Sequence, residues 1–188
     1  MNKERQDRRV RRTQKDLQSA LLEILKEKKL QEISIREVTE RADINRGTFY
    51  LHYKNVHDLL AQIEEELLEK FRESLCQDAD GTEKASPEDV IARFYNILYD
   101  NAELLQHLIG EGGDLNFTNS LKQLIYENYL MDILKDRENS AAFSVFITSG
   151  CEGLIQQWFR NGLKETPEQM TVLTASILAR SVGEVKAV

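Results

Sequence analysis

Residues 34–55 read SIREVTERADINRGTFYLHYKN, and the punctuation of this stretch decides the fold. Ser34 stands before Ile35 with Glu37 three residues on, the pattern of a capping box that opens a short helix from Ile35 to Ala42. Asp43-Ile44-Asn45 is a tight connection, and Asn45 is placed to accept backbone N–H groups as the N-cap of the next helix, about Arg46 to Tyr53. Two short helices joined by about three residues form a helix-turn-helix. Ile35 and Val38 are positioned to pack onto a preceding helix, Ala42 is small enough for a close crossing, and Ile44 plugs the turn from the core side. Asp43 takes the turn position that favours a left-handed backbone, which Asp tolerates better than most residues with a side chain. Phe49 and Tyr53, four apart, face inward together.

Outward from this stretch the apolar residues recur at helical spacing almost everywhere, and alternating strand patterns are almost absent. A first helix is predicted over about Arg9–Lys28, with Leu17, Ala20, Leu21, Ile24 and Leu25 on one face. Asn55 caps a long helix reaching about Cys76, and the polar stretch Asp78–Ser86 reads as a loop. Ser86-Pro87 opens a helix continuing to about Ile109, and Gly110–Gly113 breaks it. Asp114 caps a helix to Lys135, a strongly apolar helix runs over about Ser140–Asn161 with Gly162 as its stop, and Thr166-Pro167 opens a last helix to about Val182. The fold class expected is all-α: an N-terminal three-helix helix-turn-helix domain, residues 1–54, followed by a larger C-terminal helical bundle, residues 55–188.

Composition agrees. The 188 residues are 41% hydrophobic and 30% charged, with only two prolines and nine glycines, as suits helices with long charged faces. No apolar run approaches a membrane span, and the basic N-terminus lacks the hydrophobic core of a signal peptide. The two cysteines, Cys76 and Cys151, lie far apart and form no metal or redox motif, so the reducing cytoplasm is the expected compartment. The net charge of −7 argues against nucleic acid until its distribution is read. Residues 1–56 hold 14 Lys+Arg against 9 Asp+Glu, whereas residues 57–188 hold 11 against 23. A basic end on an acidic body suits a chain that meets phosphates at one end.

A recognition helix enters the major groove of duplex DNA with its N-terminal residues on base edges. Arg46 suits a bidentate pair to guanine, and Thr48 suits a thymine methyl or a phosphate. Gly47 lets the backbone approach closely. Tyr50, His52 and Lys54 read as phosphate contacts, which position the duplex without reading it. Arg36, Asn45 and Leu51 complete the set at the helices, and Arg11 and Arg12, with Arg8 and Arg9, read as an arm along the phosphate backbone or a minor groove.

These residues carry a resemblance. The segment Thr13–Leu60, about a quarter of the chain, resembles the DNA-binding domain of the TetR family of bacterial regulators, and INRGTFYLHYKN is its most specific part. The resemblance implies that Thr48, Tyr50 and His52 sit at DNA. Two departures stand out: Val56 occupies a position where the family often has a phosphate-contacting lysine, and Asp43 replaces a frequent glycine. Phe146–Met170 also resembles the C-terminal region of one subgroup of the family. The resemblance further implies a homodimer, a palindromic operator, usually repression, and a small-molecule effector.

For the dimer interface the apolar stripe Ile147, Cys151, Leu154, Ile155 and Trp158, with Gly150 and Gly153 beside it, is expected to pair with Leu173 and Ile177 of the last helix in a four-helix contact. Phe94, Tyr95, Tyr99, Phe117 and Tyr126 are candidates for the lining of an effector pocket between helices. No metal or cofactor site is legible: His52 and His57 are five apart, His107 stands alone, and GEGGD at 110–114 lacks the lysine and hydroxyl of a phosphate loop. No nucleophile–base grouping appears, so no enzyme is expected. The alternative reading is a co-regulator whose acidic C-terminal body docks a partner protein on which its DNA binding depends, an idea prompted by Val56.

Overall fold

The computed structural model describes residues 2–76, 86–110, 113–135 and 137–183. Within them the chain is helical and no strand occurs, as the periodicity requires. The helices are α1 (Asn2–Leu25), α2 (Ile35–Arg41), α3 (Arg46–Tyr50), α4 (Val56–Cys76), α5 (Pro87–Asp100), α6 (Ala102–Ile109), α7 (Leu115–Ile125), α8 (Met131–Leu134), α9 (Ser140–Arg160) and α10 (Pro167–Gly183). A 3-10 turn, Leu30–Glu32, follows α1, and a π-helical turn, Tyr126–Leu130, joins α7 to α8. Most of the loop expected at 78–86 lies outside the described residues. None of the described helices is long and apolar enough to cross a membrane.

The chain divides into two compact units, Met1–Leu67 and Leu68–Val188. The division falls inside α4, later than the 54/55 boundary expected from the motif. The first half of this helix belongs to the N-terminal unit, where its Val56, Leu59, Leu60, Ile63 and Leu67 are buried. The same unit buries Leu17, Ala20, Leu21, Ile24 and Leu25 of α1, the stripe read from the sequence.

Caps set the ends of the short helices. The Ser34 hydroxyl accepts from the Glu37 N–H at 3.3 Å, and the Glu37 carboxylate accepts from the Ser34 N–H at 2.9 Å. Lys28 also pairs with that carboxylate, and the Lys28 and Ser34 hydrogen bonds pull the Glu37 pKa down to about 2. At the other end of α2, Arg41 reaches Glu27 at 3.2 Å and Glu23 at 3.4 Å, which ties α2 to α1. Thr39, not singled out in the sequence, is 2% exposed and satisfies its hydroxyl on the Ile35 carbonyl at 2.9 Å. Asp43 is left-handed, φ 53°, as the turn requires. α3 ends at Tyr50 rather than Tyr53, yet Phe49 and Tyr53 are both buried with ring centroids 5.6 Å apart. Burial, helped by Glu66 and Asp58, pushes the Tyr53 hydroxyl up to about 12.

In the C-terminal unit α5 packs on α10, α6 on α7 and α9, and α8 on α9. The helix expected over Pro87–Ile109 is two helices. The chain breaks at Asn101, φ −119° and ψ 24°, where the Ile97 carbonyl accepts both the Asn101 backbone N–H at 3.1 Å and its side-chain amide at 2.8 Å. Likewise the helix expected over 114–135 is interrupted by the π turn. Asp114 caps α7 as expected, accepting from the Asn116 and Phe117 N–H groups at 2.7 and 3.1 Å. Trp158 is 1% exposed, rings of Tyr95, Tyr99 and Phe159 surround it, and its indole N–H donates to the Glu165 carbonyl at 2.9 Å. The Tyr95 and Thr174 hydroxyls share a 2.7 Å hydrogen bond that joins α5 to α10.

Candidate nucleic-acid interface

The buried side of α3 leaves little choice about what its other side presents. Phe49 is fully buried, so Arg46, Gly47, Tyr50 and Leu51 are turned outward, with Tyr50 55% and Leu51 80% exposed. Tyr50 stands edge-on to Phe49 at 5.9 Å, which steadies its ring while its hydroxyl end is free to reach outward. Thr48 and His52 are half-buried beside them. A side chain at Gly47 would place its Cβ 3.1 Å from the Asn45 carboxamide oxygen, so the cap and the glycine fit each other. That oxygen accepts from the Gly47 N–H at 2.7 Å, which makes Asn45 a helix cap first.

Arg36 of α2 and Arg46 of α3 line one open depression together with Thr39, Glu40, Asp43, Ile44 and Asn45. Sequence reading missed the two carboxylates here. Glu40 accepts from the Arg36 Nε at 2.7 Å, a pair that the spacing of four already announces, and it raises the Arg36 pKa further. Lys54 is exposed, and its backbone N–H donates to Asp58 at 2.9 Å, while Asn55 caps α4 by accepting from the Asp58 N–H at 2.9 Å. Val56 is 6% exposed and lines a groove with Leu30, Ile33, Ile35 and His57, so its position serves packing.

Arg8, Arg9, Arg11 and Arg12 lie within α1 and are exposed, and Arg12 sits 3.9 Å from Asp16 one turn on. One expectation needs correction: the expected dimer stripe is split. Ile147, Ile155 and Trp158 are buried inside the protomer, and Cys151 and Leu154 are half-buried, so this side of α9 is core. Leu173 and Ile177, the two expected from α10, are exposed together with Val172, and the exposed apolar residues of α9 are Val145 and Phe146. Gly150 and Gly153 also face outward, with nothing within 4 Å of an added Cβ.

Of the residues considered for a pocket, Phe94 and Tyr95 line an apolar cavity of about 70 Å³ in the C-terminal unit, with Leu75, Ile125, Tyr129, Leu130, Ile147, Thr148, Cys151, Ile155, Thr174 and Leu178 among its other walls. Tyr99 and Phe117 do not line it: Tyr99 is half exposed, and Phe117 is buried elsewhere. Tyr126 packs on the cluster of Leu130, Leu134 and Ile147 without reaching the cavity. Among the described residues no group of three or more His, Cys, Asp and Glu could hold a metal ion.

Residues 85–180, just over half the chain, match the TetR_C_8 family, described as the transcriptional regulator C-terminal region. An uncharacterized HTH-type transcriptional regulator of Bacillus subtilis, YxbF, is 48% identical over 60 residues, a match spanning 31% of this chain and 16% of that protein. A TetR transcriptional regulator from Streptococcus agalactiae superposes with a TM-score of 0.70 at 18% identity, covering 92% of this chain and 97% of that one. The regulator FadR from Bacillus subtilis, in complex with stearoyl-CoA, superposes with a TM-score of 0.68 at 20% identity, covering 90% of this chain and 98% of that one. The helix-turn-helix, the all-helical fold and the match across its C-terminal half make this chain a member of the TetR family of transcriptional regulators.

Proposed function

We propose that the protein is a homodimeric repressor that binds a two-fold symmetric operator through α3 and is released by an effector bound in its C-terminal unit. The observation that carries this reading is the outward face of α3. Arg46, Tyr50 and Leu51 are exposed beside Arg36, while Phe49 anchors the helix from behind. In this reading Arg46 and Arg36 meet base edges, Thr48 meets a thymine methyl or phosphate, and Tyr50, His52, Lys54 and the α1 arginines Arg11 and Arg12 meet phosphates. Residues 1–54 then form the DNA-reading part and 55–188 the dimerising and sensing part.

A second copy covers the outer apolar face of α9 and α10. Phe146, Leu173 and Ile177 supply the contact area, and Gly150 and Gly153 let helices approach closely. An isologous contact of this kind sets two α3 helices about one DNA turn apart. The effector acts by binding one separation of those helices better than the other, since only differential binding moves a two-state equilibrium. In this reading the regulator works in the cytoplasm.

Arg46→Ala and Tyr50→Ala test the interface. Each is expected to weaken binding to a selected operator at least tenfold, with an unchanged sedimentation coefficient. Phe146→Asp is expected to do the reverse, dissociating the dimer first and losing the operator as a consequence. Loss of the dimer in the α3 variants would overturn this division of labour. The partner-dependent reading finds support in buried Val56, and it requires the purified protein alone to bind its operator poorly.

A further inference from the structure

We propose that the cavity in the C-terminal unit takes an uncharged, apolar ligand, and that the π-helical turn Tyr126–Leu130 is the wall that yields to admit it. The inference rests on the reading of this unit as the sensing part. Its basis is the chemistry of the walls. Among the described residues no Lys, Arg, His, Asp or Glu lines the cavity; the titratable groups that do are Tyr95, Tyr129 and Cys151. Burial pushes the Tyr95 hydroxyl up to about 12 and the Cys151 thiol up to about 11, and it raises Tyr129, with Glu88 adding to it, so all three are neutral near pH 7. Three of the wall hydroxyls are already bonded within the protein. The Tyr95 and Thr174 hydroxyls bond each other at 2.7 Å, and the Thr148 hydroxyl donates to the Ser144 carbonyl at 2.8 Å. A carboxylate or a phosphate would leave its hydration behind and meet no charged partner, and a polyol would find few free hydrogen-bonding groups for its hydroxyls. An apolar molecule loses nothing of that kind.

At about 70 Å³ the cavity is smaller than the roughly 150 Å³ at which an apolar protein cavity holds benzene, so a wall must move. The walls are not held alike. The α5–α10 side is fastened by the Tyr95–Thr174 bond and by the rings around Trp158. Ile125, Tyr129 and Leu130 line it from at or inside the π turn and are held by apolar packing on Leu134 and Ile147. A π turn holds one residue more than the α-helix allows, and such turns recur at functional sites. Tyr129 is only part-buried, so it is the side chain of the turn that can swing off the wall while Leu130 and Leu134 stay in their cluster.

The test uses the full-length protein without DNA and three probes at equal concentration: toluene, benzoate and glycerol. Toluene at ten times its dissociation constant is expected to raise the melting temperature by about 3–6 °C, with benzoate and glycerol causing no rise. Cys151→Leu, which fills the cavity, should abolish the toluene shift. Should that variant fold poorly, Tyr129→Ala decides instead: removing the mobile wall should tighten toluene binding at least fivefold. A benzoate or glycerol shift equal to that of toluene, no toluene shift in the wild type, or an unchanged toluene affinity in Tyr129→Ala would each overturn the proposal. Operator release is read separately. Toluene binding without release keeps the ligand class and defeats the sensing role, whereas absence of operator binding in unliganded protein defeats the DNA reading alone.

Discussion

Replacing Trp158 separates the core of the C-terminal unit from its surface. The side chain is 1% exposed, lies 5.4 Å from the Tyr95 ring and 6.1 Å from that of Phe159, and donates to the Glu165 carbonyl at 2.9 Å. Truncating a buried aromatic of this size to alanine costs about 3–5 kcal/mol, because the rings around it collapse only partly into the space. Trp158→Phe keeps most of the ring contact but loses the indole donor, so its cost is smaller, about 1–3 kcal/mol. For a chain of this length each kcal/mol moves the melting temperature by about 2–4 °C, which puts Trp158→Ala about 6–20 °C below wild type. Circular dichroism must follow the unfolding, since Trp158 is the only tryptophan and its fluorescence disappears with it. Sedimentation equilibrium supplies the second reading. If Trp158 is core, the dimer dissociation constant changes less than that of Phe146→Asp while thermal stability falls steeply. Melting within about 2 °C of wild type, combined with a weakened dimer, would refute the placement.

Asp43→Gly removes a left-handed side chain, φ 53°, and is expected to stabilise the N-terminal unit by about 1 kcal/mol in urea unfolding. It also removes a carboxylate from the depression shared with Arg46, so operator affinity should rise; a loss of affinity would show that Asp43 makes a needed contact. The Glu37 carboxyl should titrate near pH 2 by NMR, because Lys28 and Ser34 hold its charged form. A depressed carboxyl contributes stability that is present above its unfolded pKa of about 4.3 and lost as pH falls through about 2, so Glu37→Gln should flatten the acid limb of the unfolding curve. In a Cys76→Ser background, Cys151 should react with iodoacetamide at pH 8 at least tenfold more slowly in the folded than in the unfolded chain, and faster as pH approaches 11. Equal rates would show that the thiol is neither buried nor held neutral.

How far the sequence carried depended on how local the determinant was. Caps at Ser34, Asn45, Ser86 and Asp114 were legible because each is one polar side chain closing on a backbone group two or three residues away. The left-handed Asp43 was legible for the same reason. Asn101 was not, because the apolar pattern runs through it without glycine or proline, and the π turn leaves that pattern equally undisturbed. The start of α1 at Asn2, ahead of the expected Arg9, was not legible because residues 2–8 carry no apolar residue. At the candidate interface the exposed residues of α3 followed from burying Phe49, but Glu40 and Asp43 came into view only when the depression around Arg46 was assembled. α9 shows a deeper limit. It is apolar on more than one side, and periodicity alone does not say that Ile147, Ile155 and Trp158 turn inward while Val145 and Phe146 turn outward.

The most direct test of the central claim is selection of bound sequences from a pool of random duplex DNA by the purified protein, with the affinity of the enriched sequence measured across a salt series. The account predicts a two-fold symmetric motif with half-sites about one helical turn apart, and an affinity that falls steeply as salt rises. Failure to enrich any motif, from a protein shown to be folded and dimeric, would contradict it.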